Sequence, residues 1–301
     1  MKKLFLHLFS ATVILLTFFS MSFIVQAECV HELQFQYSYE PTCTEEGMKE
    51  DYYECIKCHE LFADPEARQS FRREDLVIPS YGHVLEQEHA WTVLKKATLK
   101  NDGQIGYPCV ECGTIAETNV IPKVTKIQLS FTSRTYNRKT QKPTIKIFTK
   151  NGRLDSYEER GEDYGQYRLT YPKSSIKVGR YTVKITFMNF YSGTVTKTYD
   201  IKPRGTKIIK ITPKRKEMTV TWKKQADQTD GYQILYSTSS KFKSAKKVTV
   251  SGRNLTSKKI KGLQSKKKYY VKIRTYKKVM SGKKAIYIYS DWSSTKTAIV
   301  R

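Results

Sequence analysis

From Val124 onward the chain is cut into short runs in which β-branched or aromatic residues alternate with polar ones, and Gly, Pro, Asn or Ser separate the runs. Alternation with a period of two places one set of side chains on one face of a strand. In Gly179–Phe187, that face carries Tyr181, Val183, Ile185 and Phe187. The same logic pairs Val220 with Trp222, groups Tyr232, Ile234 and Tyr236, and groups Tyr269, Val271 and Ile273. Lys, Arg, Gln and Thr fill many of the intervening positions, so one face of each strand is wet. Many short strands between turn signals predict antiparallel β-sandwiches. Almost no helix is expected after residue 124, and Glu158, Glu159, Glu162 and Asp163 are read as a solvated loop.

The 301 residues are more than one core usually serves. The N-terminus carries Lys2 and Lys3, an apolar run from Leu4 to Val25, and Val25-Gln26-Ala27. That order predicts a signal peptide over 1–27, cleaved before Glu28, with an uncleaved anchor as the alternative. No later segment is apolar enough to span a membrane. The resulting expectation is a secreted or cell-surface protein.

Residues 28–122 differ in texture. They contain all six cysteines and four of the five histidines. Two weakly similar copies, about 28–83 and 84–122, are visible: Thr42 matches Thr98, Gly47 matches Gly103, and Cys55/Cys58 match Cys109/Cys112. A Cys-x-x-Cys turn brings two thiolates to one side of the chain, as a zinc site requires. In the first copy, Cys43 with His31 or His83 would complete a Cys3His shell. The second copy has Leu99 where the first has Cys43, and offers Cys109 and Cys112 with His83 or His89. One site per copy is expected, with structural zinc as the cofactor. Disulfides are the competing reading, because the count is even and the compartment exported; Cys29–Cys43 is one such pair. A redox role would need a helix after the turn, and neither turn has one.

Charge is segregated. Residues 28–122 hold 8 Lys/Arg against 18 Asp/Glu, a net of −10. Residues 123–203 hold 17 against 6, a net of +11, and residues 204–301 hold 27 against 4, a net of +23. Such a surplus exceeds what solubility calls for and accumulates polyanions. Lys214, Arg215, Lys216, Lys258, Lys259, Lys266, Lys267 and Lys268 are the candidate anion-binding residues. The partners expected are anionic cell-wall polymers or other extracellular polyanions. Nucleic-acid motifs are lacking, so no sequence-specific nucleic-acid binding is expected.

Catalytic signatures are also lacking. The sequence has no His-Glu-x-x-His and no glycine-rich phosphate loop, and no histidine follows His89. The chain is expected not to be an enzyme.

Residues 206–301 resemble a fibronectin type III domain. The signals are Trp222 in the second strand, "GYQILYS" in the third, Leu263 six residues before Tyr269, and "YSDWSS" near the last strand. Ser265 departs from the proline common after that leucine. The resemblance is specific for fold and says little about ligand. The "YSTSSKFKSAKKVTV" run is similar to a variant in exported proteins of Gram-positive bacteria. Residues 123–203 resemble an Ig-like module, on "SRTYNRKTQKPTIKI" and "VGRYTVKITFMNFYSGTVTKTYDIKP". Residues 28–122 are similar to Cys/His repeats of bacterial surface proteins, on His31, Cys43, Gly47, Cys55, Cys58, Ile78-Pro79 and Gly82-His83. The combined expectation is a mainly β protein with two tandem sandwiches after a metal-stapled head. Adhesion to anionic polymers is the function this favours, and a spacer with no ligand site of its own is the alternative.

Overall fold

The computed structural model describes residues 29–85 and 91–301. The predicted signal peptide therefore lies outside the described residues, as does His89. Two compact units divide at Val84/Leu85. No helix among the described residues is long and apolar enough to cross a membrane.

The first unit consists of short elements. They are β1 (Leu33–Gln36), β2 (Gly47–Met48), β3 (Tyr52–Cys55), β4 (Leu61–Phe62), β5 (Ser70–Phe71), the single-turn helix α1 (Arg73–Leu76) and β6 (Val77–Ile78). β1, β3, β4 and β5 form one antiparallel sheet in that order, and β2 pairs with β6. The core is small: Met48, Tyr52, Leu61 and Leu76 are buried, with Phe71 and Val77 packed against them. A core of this size leaves little margin against chain entropy, so a domain of this kind relies on a cross-link or a metal.

The second unit opens with a three-stranded meander, β7 (Thr92–Lys95), β8 (Gly103–Pro108) and β9 (Ile115–Ile121). An Ig-like sandwich follows: β10 (Lys126–Leu129), β11 (Ser133–Thr135), β12 (Ile145–Thr149), β13 (Gly152–Arg153), α2 (Tyr157–Tyr164), β14 (Tyr167–Thr170), β15 (Gly179–Phe187) and β16 (Thr194–Lys202). Its sheets run β10-β12-β13 and β11-β16-β15-β14. The meander is part of this body. Ala97 N–H donates to Phe190 O at 2.9 Å, and Ala97 and Ile121 are buried in one cluster with Ile147, Val183, Ile185 and Tyr167.

α2 replaces the loop expected around Glu158. Ser156 and Glu159 stand at capping-box spacing, and the Glu159 carboxylate accepts the Ser156 N–H at 2.9 Å. Gly161, with φ near 78°, kinks the helix halfway. Local capping makes this turn without the apolar period that marks longer helices.

The second sandwich contains β17 (Ile208–Lys214), β18 (Glu217–Trp222), β19 (Gly231–Ser237), β20 (Lys246–Ser251), β21 (Ser257–Lys261), β22 (Lys268–Ser281), β23 (Lys284–Tyr289) and β24 (Lys296–Ile299). One sheet is β17-β18-β21. The other is β20-β19-β22-β23, with β24 also on β22. Trp222, Tyr232, Ile234, Val271, Ile273 and Val300 are all but sealed from solvent. The fold is thus mainly β, with two tandem sandwiches.

The two sandwiches are docked. Tyr136, Val178, Tyr199 and Ile201 share a buried cluster with Ile288, and Val279 and Ile286 flank it. Polar ties surround it: Lys202 Nζ lies 2.7 Å from Asp291, Arg138 lies 2.9 Å from Asp227, and Thr275 Oγ1 donates to Arg204 O at 2.8 Å.

Candidate functional site

Two sets of side chains carry chemistry, one in each unit. In the first unit, β1 runs antiparallel to β3 with Leu33 opposite Cys55. Residues directly opposite each other share a face, so this register sets the segment before β1 against the end of β3. The chain before β1 therefore passes along the Cys55–Cys58 turn, where Ile56 N–H donates to Glu32 O at 2.9 Å. The turn itself is closed by His59 N–H on Cys55 O at 2.8 Å and by Cys55 N–H on Glu60 O at 2.9 Å, with His59 at φ 59°.

As a result Cys29, His31, Cys55 and Cys58 converge, their ligand atoms all within 4.8 Å of one another. Cys29 Sγ lies 3.9 Å from Cys55 Sγ, and Cys58 Sγ lies 3.4 Å from His31 Nδ1. With Zn–S at about 2.3 Å and Zn–N at about 2.0 Å, the edges of a tetrahedral shell are about 3.8 Å for S···S and about 3.5 Å for S···N. The donor set and its spacing fit a structural metal. No disulfide links Cys29, Cys55 or Cys58.

The other imidazole nitrogen, His31 Nε2, faces Glu60 Oε2 at 3.7 Å, and the ring packs edge-on against Phe62. Burial pushes the Cys55 thiol up, but backbone N–H groups at Cys58 and Lys57 and the His31 side chain outweigh it and bring the thiol down to about 5. Hydrogen bonding to Cys58, then burial, holds the neighbouring Cys29 thiol up, to about 12.

This set differs from the one expected. Cys29 takes the place assigned to Cys43, because the strand register brings the segment before β1 to the turn. Cys43 is buried on the loop between β1 and β2, with its Sγ within 4.8 Å of a His83 ring nitrogen in the same unit. In the second unit, Cys109 and Cys112 face each other within that same limit. Their turn repeats the first one: Cys109 N–H donates to Thr114 O, Gly113 N–H donates to Cys109 O, and Gly113 has φ 73°.

The second set lies on the last sandwich. Lys214, Arg215 and Lys216 form the β17–β18 turn, and Lys266, Lys267 and Lys268 form the approach to β22; all six are exposed. Backbone hydrogen bonds draw both segments onto the chain at Val300-Arg301. Lys216 N–H donates to Arg301 O at 3.0 Å, Arg301 N–H to Lys214 O at 3.2 Å, and Lys266 N–H to Val300 O at 2.8 Å. Ser265, at the proline position, uses its hydroxyl to donate to Arg301 O at 3.0 Å. Six of the eight candidate cations thus share one pole of the sandwich.

The outer face of the β17-β18-β21 sheet continues this pole. Cross-strand register aligns Lys214, Glu217 and Lys261 in one row, Thr212, Thr219 and Lys259 in the next, and Lys210, Thr221 and Ser257 in a third. Lys259 joins the basic face and lies 3.6 Å from Glu217. Lys258 does not: it pairs with Val220, whose side chain is in the core, and so lies on the opposite side of the edge strand. Lys210 and Lys261 belong to the face by register, a relation that the sequence does not display.

A third feature escaped the sequence. On the outer side of the other sheet, the Arg274 guanidinium lies 3.7 Å from the Tyr289 ring and 4.3 Å from the Trp292 ring, and it donates to Gln233 Oε1 at 2.7 Å. Tyr287 stacks on Tyr289 and is half exposed. This is a stabilising cation–π ladder along strands β22 and β23.

No curated protein matches the chain. Among solved structures, the FN1–FN3 domains of chicken CNTN1 align over 86% of this chain and 78% of theirs, at 14% identity and a TM-score of 0.29. A two-domain fibronectin type III segment from chicken tenascin aligns over 59% of this chain and 98% of its own, at 18% identity and a TM-score of 0.30. Residues 202–290 match the family model for the fibronectin type III domain, and the last sandwich of this chain is a domain of that kind.

Proposed function

We propose that this is a non-enzymatic binding protein of the bacterial exterior, exported by residues 1–27, which associates with anionic wall polymers or other extracellular polyanions through its last sandwich. Fibronectin type III domains are commonly binding and adhesion modules without catalysis. In this reading the first unit is a head held by a structural metal, and the Ig-like sandwich joins head to binding module.

One observation carries the reading. Six exposed cations, Lys214 to Lys216 and Lys266 to Lys268, are mounted on two segments tied by backbone hydrogen bonds to the same residues, Val300 and Arg301. Their charge cannot spread apart, so the local potential stays high and a polyanion meets several cations at once. Binding of this kind is salt-sensitive and indifferent to sequence.

A salt gradient on heparin and lipoteichoic-acid columns tests the proposal. The mature chain is expected to be retained at low salt and released at moderate salt. A variant with all six residues changed to Gln is expected to elute much earlier. Flow-through of the unmodified chain at low salt would overturn the reading. It would favour the spacer alternative, which the docked junction between the sandwiches supports.

A further inference from the structure

We propose that Cys29 Sγ, His31 Nδ1, Cys55 Sγ and Cys58 Sγ form a closed tetrahedral site for a structural Zn²⁺ in the first unit. This names the ion and ligands behind the metal reading above, and it is independent of the anion-binding reading. Three observations lead to it.

The first is geometric. The two edges, 3.9 Å for S···S and 3.4 Å for S···N, are those of a Cys3His tetrahedron rather than of a disulfide, whose sulfurs lie about 2.05 Å apart.

The second is the donor count. Three thiols meet at one point. A disulfide uses two of them, strands the third, and gives the imidazole no role. A zinc ion uses all four groups.

The third is the surround of the histidine. A zinc-bound imidazole characteristically turns its remaining N–H toward a carboxylate, which fixes its orientation. His31 presents Nδ1 to Cys58 and Nε2 to Glu60 at 3.7 Å, with Phe62 against the ring. Cys55 is buried beside the small cluster of Met48, Tyr52, Leu61 and Leu76. The ion would therefore tie the chain before β1 to the β3–β4 turn and supply cohesion that the core lacks.

The test uses the full mature chain, purified without chelator, with thiols alkylated and mapped peptide by peptide. Zinc is expected to protect Cys29, Cys55 and Cys58 together, and a chelator to expose all three at once. Cobalt in place of zinc is expected to give the intense visible bands of a tetrahedral thiolate site. Cys29→Ser is expected to weaken metal binding at this site at least tenfold, as monitored by alkylation of Cys55 and Cys58, whereas Cys43→Ser leaves their protection intact. Glu60→Gln, which keeps the fold, is expected to weaken zinc retention less than loss of a ligand. A native Cys29–Cys55 cross-linked peptide, or equal alkylation of the three thiols with and without zinc, would overturn the proposal.

Discussion

The hydroxyl of Tyr269 accepts a hydrogen bond at 3.0 Å from the backbone N–H of Gln264, the residue after the buried Leu263. The contact holds the loop that carries Lys266–Lys268 against the sandwich. Tyr269→Phe keeps the ring in the core and removes only the acceptor. It is expected to cost about 1 kcal/mol, the usual net value of a hydrogen bond. Urea unfolding of the second unit measures this, and an unchanged midpoint would mean that the loop holds itself.

Glu217 is an acid set within the basic sheet face, between Lys214 and Lys261 in register and 3.6 Å from Lys259. Glu217→Gln raises the positive potential without disturbing the core. The variant is expected to elute from a polyanion column at higher salt than the unmodified chain. Earlier elution would show that the bound polymer does not use this face.

Ile288 lies almost wholly inside the cluster shared by the two sandwiches, beside Ile201 and Tyr199. Ile288→Ala is expected to cost about 2–4 kcal/mol and to split one unfolding transition of the second unit into two. Calorimetry reads this directly. A single shifted transition would indicate that the polar ties, Lys202–Asp291 among them, suffice to couple the modules.

Tyr167 is buried, and its hydroxyl donates to Ile145 O at 3.2 Å. Burial is the main reason its ionisation is pushed up to about 12. A group whose ionisation is raised on folding contributes stability that is complete below its unfolded value, about 10, and that declines as pH rises toward the folded value. The second unit is therefore expected to lose stability between about pH 10 and 12, by on the order of 2 kcal/mol from this group. Tyr167→Phe is expected to flatten that alkaline decline, as followed by urea midpoints across the range.

The sandwiches were largely legible in the sequence, because alternation by two is a local property. Tyr232, Ile234, Val271 and Ile273 could be assigned to the core from their neighbours alone. The site in the first unit was only partly legible. The Cys55–Cys58 turn is encoded in four consecutive residues, but the identity of its partners depends on how β1 registers on β3. That register selects Cys29 over Cys43, and no short-range pattern specifies it. The same limit applies to Lys214 and Lys261, which come into one row only through cross-strand pairing with Glu217. α2 was missed for a different reason: its Ser156–Glu159 cap is local, but the segment offers no apolar stripe to accompany it.

Gly47 and Gly103, which correspond in the two copies, show how little freedom the turns beside them have. A methyl group on Gly47 would come within 2.5 Å of Pro41 N, and one on Gly103 within 2.4 Å of Ala97 N and Lys95 O. In each copy the threonine hydroxyl a few residues earlier, Thr42 or Thr98, accepts from the next two available N–H groups, so the loop closes in the same way. Neither position can admit even alanine without moving backbone. Variation in this part of the chain is therefore channelled to the loop tips, and a mutational scan should find these two glycines silent to hydrophobicity and intolerant of size.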